Sequence, residues 1–334
     1  MSKLHDIISE YVKIGIPEQI DYDKLYLYSI VTHSTAVEGS TVTEIENKLL
    51  FDEGVSPNKP LEEQLMNIDL KNAYIEAIAL AKQHTDFSVK LLCHLSSMVM
   101  NNTGTEYHTA LGKFSSIKGE LRLLNVTAGR GGKSYMSYEK VPQRLEDFCN
   151  WLNTQRKRLS PGDTDNIYKL SFLSHYNLVT IHPWADGNGR MARLVMNMLQ
   201  TEFYVIPSIV KKDSREQYIK SLAQSQEEGN PSAFLDFMLN NHIENLLVTI
   251  KEYKNSLKND TLNLENDTLK LSKNELSIIK LIKENSYIKI TEITKITGLS
   301  RPTVMRTIRK LKEKHLLSRE GAKKNGKWII SPDS

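Results

Sequence analysis

The stretch HPWADGNGRMAR, residues 182–193, lies between two segments with the apolar spacing of helices. Gly187 and Gly189 permit backbone conformations in which successive N–H groups point the same way. A helix that begins near Gly189 adds free N–H groups and the positive end of its dipole. The stretch is therefore predicted to be a turn that binds an anion.

The polar side chains of this turn predict the chemistry of that anion. Arg190 and Arg193 share a helical face and can both reach phosphate oxygens. Asp186 offers one hard oxygen ligand, the anchorage Mg²⁺ takes when phosphates and waters fill its other positions. His182 can exchange a proton near neutral pH. A glycine-rich helix start with surface arginines and a core histidine is the alternative, but so many suitable residue types in one short stretch favour a phosphate cradle beside a base.

The stretch resembles the Fic family motif, HPFx(D/E)GNGRxxR, and departs from it at Trp184, where Phe is usual. One large apolar ring replaces another, which affects packing more than chemistry. Further resemblance extends over about residues 87–239, less than half of the chain. It implies a mainly α protein, a Fic-type helical bundle with a small β-hairpin flap and with the motif between two central helices. Helical spacing over residues 62–82, 88–100, 141–152 and 167–181 agrees with this.

The resemblance also implies roles. His182 would be the general base that deprotonates a Ser, Thr or Tyr hydroxyl of a protein substrate, of which this chain itself is one candidate. The hydroxyl would attack the α-phosphate of ATP, and Asp186 would hold Mg²⁺. ATP would be bound by the nest of Gly187, Asn188 and Gly189, by Arg190 and Arg193, and by Tyr218. For Tyr218, stacking on adenine and packing in the core are both open.

A second short pattern predicts self-inhibition. Residues 34–39, STAVEG, fit the family's inhibitory pattern (S/T)xxxE(G/N). Ser34 and Glu38 share a helical face, and Gly39 is expected to leave room for close approach. The resemblance implies that Glu38 pairs with Arg193 in the place of the γ-phosphate. In some relatives this glutamate instead positions a water that removes AMP, and a plain helix-surface acid is the third alternative.

Residues 119–138 are expected to form the flap hairpin, which would align the backbone of a target by strand addition. They contain Gly132-Lys133-Ser134, which superficially looks like the end of a P-loop. Thr127 stands where a P-loop requires glycine, so that interpretation is rejected.

Composition predicts a cytoplasmic protein with a basic C-terminal unit. The chain of 334 residues has two cysteines without a CxxC pair, no apolar run long enough for a bilayer, and acidic residues where a signal peptide would be apolar. Residues 270–334 hold 16 Lys and Arg against 6 Asp and Glu, a net charge of +10, whereas the rest of the chain carries −6. This asymmetry suggests a nucleic-acid contact.

The C-terminal pattern is helix, helix, turn, helix, hairpin, typical of a winged helix-turn-helix. Ser272, Thr291 and Ser300 are the expected helix caps, and Gly298 the expected end of the second helix. Duplex DNA would be contacted from the third helix and from lysines 323, 324 and 327 of the wing; the helix contacts would be Arg301, Thr303, Arg306, Arg309 and Lys310. Protein docking is the alternative use of such a domain.

These patterns predict four segments: an N-terminal helical region with the inhibitory helix (1–86), a Fic catalytic domain (87–250), a linker or exposed helix end (251–271) and a winged helix-turn-helix domain (272–334). The predicted function is Mg²⁺-dependent transfer of AMP from ATP to a protein, inhibited by Glu38. The alternatives are removal of AMP, transfer of another phosphate-containing group, and a DNA-binding regulator whose Fic domain senses nucleotide or supports a homodimer.

Overall fold

The computed structural model describes residues 3–18, 20–21, 24–128, 134–265, 272–314, 316–320 and 326–330. The chain divides into two compact units, Met1–Lys251 and Glu252–Ser334. Helices of the first unit are α1 Lys3–Lys13, α2 Leu25–Val37, α3 Glu44–Glu53, α4 Leu61–Lys82, α5 Val89–Val99, α6 Val141–Arg156, α7 Thr164–Ile181, α8 Asn188–Glu202 and α9 Arg215–Glu228. Helix α10, Ser232–Glu265, begins in this unit and continues past its boundary.

Helices α7 and α8 form the centre of the first unit. Thirteen of the fifteen residues of α8 are buried, so this helix is enclosed on all sides rather than amphipathic. Helices α4, α5 and α7 pack against it. The predicted helices over residues 62–82, 88–100, 141–152 and 167–181 are all present. The central position of α8 fixes the turn that precedes it.

The inner face of α4 differs from the one its apolar residues indicate. Ile75 is 52% exposed, whereas Asn67 is fully buried. The amide of Asn67 accepts hydrogen bonds from Thr35 Oγ1 and Asn47 Nδ2, both at 2.8 Å, and its Nδ2 donates to Ser40 Oγ at 3.2 Å. This buried polar network joins α2, α3 and α4, and each of its members is costly to leave unpaired. It thereby fixes α2, which carries Ser34.

A short hairpin precedes the predicted flap and was not expected. Strands β1 (Glu106–Thr109) and β2 (Gly112–Ser115) pair antiparallel around Gly112, whose φ of 124° favours glycine. Over residues 119–138, the described part contains one antiparallel bridge, between Thr127 and Ser134, and no longer ladder. The described residues are joined across this region by that bridge and by Tyr135 N, which donates to Val126 O at 3.0 Å, while Arg122 N donates to Pro183 O of the motif turn at 3.1 Å. Residues 129–133, with the Gly132-Lys133 pair, lie outside the described residues.

The second unit has the predicted order: α11 Lys273–Glu284, α12 Ile290–Thr297, α13 Arg301–Glu313, and strands β3 Leu317–Glu320 and β4 Lys327–Ile330, which pair antiparallel. Its core is apolar and includes Ile278, Ile282, Ile293, Val304, Ile308, Leu311 and Trp328. The unit is a winged helix-turn-helix, and the whole fold is mainly helical, as predicted.

The predicted caps of these helices are confirmed at Ser272 and Ser300, whose side chains accept from backbone N–H groups of the first turn, and Gly298 ends α12 with a φ of 69°. The prediction for Thr291 is wrong. Helix α12 begins at Ile290 with Lys289 as its cap, two residues before Thr291, because the carboxylate of Glu292 accepts from the backbone N–H of Lys289 at 2.8 Å. Among the described helices, none combines the length and apolar character needed to cross a bilayer.

Candidate active site

The motif turn connects the two central helices through two left-handed residues. Helix α7 ends at Ile181 and is capped by His182, with a φ of 52°, and α8 begins after Gly187, with a φ of 79°. The first intrahelical bond of α8 runs from Met191 N to Gly187 O at 2.9 Å. The N–H groups of the residues before Met191 thus precede the helical ladder and are the donors that a helix start offers to an anion.

Two glycines of the turn have close side-chain neighbours, and the φ of 79° at Gly187 independently favours glycine. A Cβ on Gly187 would lie 2.8 Å from Met100 Sδ, and one on Gly189 would lie 2.5 Å from Glu38 Oε1. The turn is further closed by Asn188, whose Nδ2 donates to Trp184 O at 2.8 Å and whose Oδ1 accepts from Trp184 N at 3.1 Å. The backbone is therefore shaped before any ligand arrives.

Trp184, at the departure from the family pattern, is completely buried. Its indole N–H donates to Gly119 O at 3.0 Å, a bond that Phe could not make. A Cβ on Gly119 would lie 1.9 Å from Cys93 O, so this glycine is needed where the loop crosses α5. The tryptophan thus ties the turn to the loop over residues 119–138.

His182 is half-buried, and one of its ring nitrogens is fixed by a contact. Its Nδ1 lies 3.3 Å from Val179 O, which assigns the proton to Nδ1 and leaves Nε2 as an acceptor. The ring stacks on Tyr135, with centroids 3.8 Å apart and planes 18° from parallel. Burial lowers the pKa of His182 to about 4. The imidazole is therefore neutral at physiological pH and able to accept a proton.

Arg190 is buried, and it contacts Val99 O at 3.4 Å and Met100 Sδ at 3.1 Å. Its Nε has no hydrogen-bond partner among the described residues, which leaves donor capacity at a buried cation. Asp186 Oδ1 lies 3.7 Å from Arg190 Nη2 and accepts from Gly187 N at 2.6 Å. A buried guanidinium with a spare donor beside open backbone N–H groups fits a polyphosphate.

Asp186 is suited to a cation that arrives with its phosphates. Its side chain is 60% exposed. No three His, Cys, Asp or Glu side chains form a ready-made metal site in the parts of the chain that the structure describes. One exposed carboxylate fits Mg²⁺, which keeps waters and takes phosphate oxygens as its remaining ligands. Tyr107 of β1 borders this carboxylate: burial raises its pKa first, and the charge of Asp186 adds to the effect.

Arg193 is the most heavily bonded side chain of the predicted set. It is 3% exposed; its Nε donates to Ser34 Oγ at 2.8 Å, its Nη2 donates to Ser34 O at 3.0 Å, and it forms an ion pair with Glu38. The structure therefore brings the two predicted motifs together. Gly39 was expected to allow close approach, and this is wrong: its Cβ position is open, and the residue is glycine because its φ is 112°.

Tyr218 lies deep in the first unit. It is 2% exposed, its hydroxyl lies 2.9 Å from His175 Nε2 and 3.4 Å from Arg193 Nη1, and its ring packs near Phe234. This geometry favours the core-packing alternative, with the hydroxyl supporting Arg193 from behind. Sequence reasoning missed His175 and Arg122 altogether, because neither a lone histidine in an apolar helix nor a lone arginine in a loop carries a pattern.

The five residues proposed for DNA contact lie on α13. Arg301, Arg306, Arg309 and Lys310 are exposed, whereas Thr303 is half-buried and bonds with Ser300 at the helix start. Lys327 begins β4 and is exposed, and lysines 323 and 324 lie outside the described residues. The basic face of α13 is therefore free of the apolar core beneath it.

The fold and the turn define a class: a helical bundle in which a glycine-rich turn opens the central helix, followed in the sequence by a winged helix-turn-helix. Residues 86–200 match the Fic/DOC family, and residues 271–317 match a family described as winged helix-turn-helix DNA-binding. The chain thus carries a Fic/DOC domain with a winged helix-turn-helix domain behind it.

Similar proteins agree with this assignment. Protein adenylyltransferase fic-1 of Caenorhabditis elegans is 28% identical over 59% of this chain and 35% of its own length. Protein adenylyltransferase Fic of Drosophila melanogaster is 28% identical over 62% of this chain and 39% of its own. The chain therefore spans well under half the length of these curated relatives.

Solved structures show the same fold. A Fic domain containing signaling protein from Bacteroides thetaiotaomicron superposes with a TM-score of 0.62 at 21% identity, covering 76% of this chain and 98% of that one. A Fic family protein from Desulfovibrio desulfuricans has a TM-score of 0.60 at 18% identity, covering 100% of this chain and 98% of the other. At such identities the likeness concerns the fold alone.

Proposed function

We propose that this chain transfers AMP from Mg²⁺-bound ATP to a Ser, Thr or Tyr hydroxyl of a protein, and that Glu38 holds it in a slow state. The observation that carries the proposal is the ion pair between Glu38 and Arg193 at the start of α8. An inhibited nucleotidyl transferase requires three features: a preformed anion-binding turn, a neutral histidine beside it, and an acid paired with one of its arginines.

The reaction requires one proton acceptor and a site for a moving phosphoryl group. The target hydroxyl oxygen forms a bond to the α-phosphorus while the bond to the β-phosphate oxygen breaks, and pyrophosphate leaves. The hydroxyl proton goes to His182 Nε2, because Nδ1–H is directed to Val179 O. The donors at the start of α8 and the guanidinium of Arg190 stabilise the charge on the phosphates. Mg²⁺ at Asp186 would supply further charge neutralisation.

Inhibition follows from the position of Glu38. Its carboxylate contacts the buried Arg193 and stands where a Cβ on Gly189 would be. Burial opposes ionisation of Glu38, yet Arg193 and then Arg190 lower the pKa of its carboxyl below the ordinary value. An ionised carboxylate in this place repels the terminal phosphate of ATP and removes Arg193 as a phosphate ligand. ATP is then bound without the geometry that transfer requires.

The test is intact-mass spectrometry of the protein after incubation with ATP and Mg²⁺. We expect Glu38→Gly to gain the mass of AMP on itself or on added protein, and Glu38→Gly with His182→Ala to gain none. Glu53→Gly is the matched control, since Glu53 is an exposed acid at the end of α3 before Gly54. A phosphate-sized gain supports transfer of another group, and no gain by a folded Glu38→Gly protein contradicts the proposal.

Removal of AMP is measured by the same mass spectrometry. Purified AMP-bearing product is returned to the wild-type protein, in which Glu38 is present. Loss of AMP mass that requires Glu38 assigns a water-directing role to this carboxylate, whereas stable product leaves Glu38 as a brake alone.

A second proposal concerns the C-terminal unit: duplex DNA binds the exposed cationic face of α13. The match of residues 271–317 to a DNA-binding family and the four exposed cations among the predicted contacts on that helix support it. Binding of the full chain to duplex DNA, measured by fluorescence anisotropy at several salt concentrations, tests it. Absence of binding at low salt favours protein docking.

A further inference from the structure

The side chain of Arg122 lies between the motif turn and the loop over residues 119–138. It is 1% exposed. Its Nε donates to His182 O at 2.8 Å, its Nη1 to Leu124 O at 2.7 Å, and its Nη2 to Met136 O at 2.6 Å. The backbone N–H of Arg122 donates to Pro183 O at 3.1 Å. One residue thus bonds to the turn on one side and to both arms of the loop on the other.

These bonds use the particular geometry of a guanidinium. Arginine presents five donors in a planar fork, and here each of its three nitrogens donates to a different backbone carbonyl. A lysine ammonium has the charge but cannot reach three carbonyls that diverge around a plane. The three carbonyl partners carry no net charge, so the planar shape of the guanidinium, rather than ion pairing, determines this arrangement.

Two of the carbonyls bound by Arg122 lie at His182 itself and next to Tyr135, the residue whose ring covers the imidazole. Met136 follows Tyr135, whose ring stacks on His182, and His182 supplies its own carbonyl to the same guanidinium. The distance between the imidazole and the loop is therefore set by two bonds to one side chain. His182 also has a φ of 52°, a left-handed conformation that a non-glycine residue keeps only when its surroundings hold it.

We infer that Arg122 is a positioning residue for the proposed AMP transfer: it holds the catalytic imidazole and the target-facing loop at a fixed separation. The inference rests on the proposed function, because it concerns the same site. Arg122 does not touch the reacting atoms in this arrangement. It acts through His182, whose Nε2 must meet a hydroxyl that a target presents along the loop.

The competing account is that Arg122 is a buried arginine that only stabilises the fold. Arg156 provides the matched control, since it is also buried and its Nη1 also donates to a backbone carbonyl, that of Thr85, at 2.8 Å. Arg156 lies on α6 and contacts Asp86 and Glu202, with no bond to the turn. A substitution there changes stability without changing the placement of His182.

The kinetic experiment uses the full chain with Glu38→Gly as the active parent. Arg122→Lys should lower kcat for AMP transfer by about 10- to 100-fold, because a displacement of about 1 Å at the base costs about that much. The KM for Mg²⁺-ATP should remain within about threefold, since the start of α8 is not altered. Arg156→Lys should leave kcat per folded molecule unchanged. An Arg122→Lys protein with the parent's kcat overturns the inference.

The pH profile of kcat separates a change in the placement of His182 from a change in its protonation. The groups that face His182 are Arg122, Asp186, Glu38 and Tyr135. In the Glu38→Gly background, Arg122→Met removes a positive charge that disfavours protonation of His182, so the acid limb of kcat should move to higher pH. Arg122→Lys keeps the charge, so its acid limb should stay while kcat falls. An Arg122→Lys protein whose kcat falls while its acid limb stays therefore reports displacement of His182 rather than a change in its protonation.

A spectroscopic arm of the experiment tests the relative position of the Tyr135 and His182 rings without measuring catalysis. NMR of the parent should show contacts between the ring protons of Tyr135 and His182, and Arg122→Lys should lose them while Arg156→Lys keeps them. If the parent transfers no AMP, the proposed function falls, and the positional inference is decided by this arm alone. Ring contacts that persist in a folded Arg122→Lys protein overturn it.

Discussion

The carboxylate of Glu38 and the guanidinium of Arg193, which are 155 positions apart in the sequence, are directly paired at the start of α8. Arg193 is 3% exposed, whereas the side chain of Glu38 is 35% exposed. Burial alone would lower the pKa of Arg193, and Glu38 outweighs it and raises that pKa. A permanent cation thus faces an acid that can be reached from solvent, which makes Glu38 the adjustable member of the pair.

The pair makes stability depend on pH. The folded-state pKa of Glu38 is lowered, so its stabilisation is present above the unfolded-state pKa of about 4.3 and is lost as pH falls through the folded value. After discounting for partial exposure, we expect Glu38→Gln to lower the free energy of unfolding by about 1–2 kcal/mol at pH 7. Urea titrations from pH 7 to pH 3 should show this difference shrinking as the pH falls below about 4.3. A difference that is constant with pH contradicts the pairing.

Ser34 should contribute to the proposed inhibition. Its hydroxyl accepts from Arg193 Nε at 2.8 Å, so Ser34→Ala loosens Arg193 without touching the turn. We expect AMP transfer to rise by about 2- to 10-fold, the effect of weakening one charge-assisted hydrogen bond, and less than in Glu38→Gly. Ser29→Ala is the control, because Ser29 lies on the same helix and its hydroxyl donates to Glu44 instead. Equal rates for Ser34→Ala and the wild type would exclude Ser34 from inhibition.

Gly189 and Glu38 should be energetically coupled. A Cβ on Gly189 would meet Glu38 Oε1 at 2.5 Å and Arg193 Nη1 at 3.1 Å. We expect Gly189→Ala to lower the free energy of unfolding of the wild type by about 1–2 kcal/mol, the range for an overpacked site. In Glu38→Gly the same change should be near neutral, since alanine favours the helix. Urea unfolding of the four variants measures the coupling, and additive effects would show that the two residues do not compete for space.

Trp184 should be replaceable with a loss of stability rather than of activity. Trp184→Phe removes the donor to Gly119 O and leaves space in a completely buried site. We expect the free energy of unfolding to fall by about 1–3 kcal/mol, because a buried carbonyl loses its partner. AMP transfer per folded molecule in the Glu38→Gly background should stay within about twofold. A large fall in kcat without a change in stability would instead give the indole a direct part in shaping the turn.

The DNA proposal predicts a change in salt dependence. Arg306 is exposed on α13, and Arg306→Ala in the full chain should reduce the slope of log affinity against log salt by about 1 if it meets a phosphate. Lys169→Ala removes an exposed charge from the first unit and should leave the slope unchanged. An unaltered slope for Arg306→Ala would move the contact elsewhere on the unit.

The sequence predicted the parts of the site that local chemistry determines. Gly187 and Gly189 each have a backbone or packing reason to be glycine, and Glu38 meets Arg193 as the inhibitory pattern implies. The helix caps at Ser272 and Ser300 are also local, since each depends on a residue three positions away. Such features need only the spacing of residues along the chain.

The remainder depends on contacts between distant segments. Arg122 stands in a loop, and its importance comes from carbonyls up to 60 positions away. The strands β1 and β2 have four residues each, too short for alternation to distinguish them from a loop. On α4, Asn67 is buried because α2 and α3 supply its partners, a fact that hydrophobic periodicity cannot contain. The reason for Gly39 was likewise conformational and not steric.

The amide of Asn67 holds helix α2 at one position along α4, so that α2 cannot shift by small steps. Sliding α2 along α4 by even one turn would break the bond from Thr35 Oγ1 to Asn67 Oδ1 and the bond from Asn47 Nδ2 to Thr32 Oγ1 in a dry interior. Under the proposed inhibition, a stimulus that activates the protein therefore has an easier route through rotation of the Glu38 side chain than through departure of the whole helix. The proposed AMP transfer would then be adjusted at one carboxylate while the helices around it stay in place.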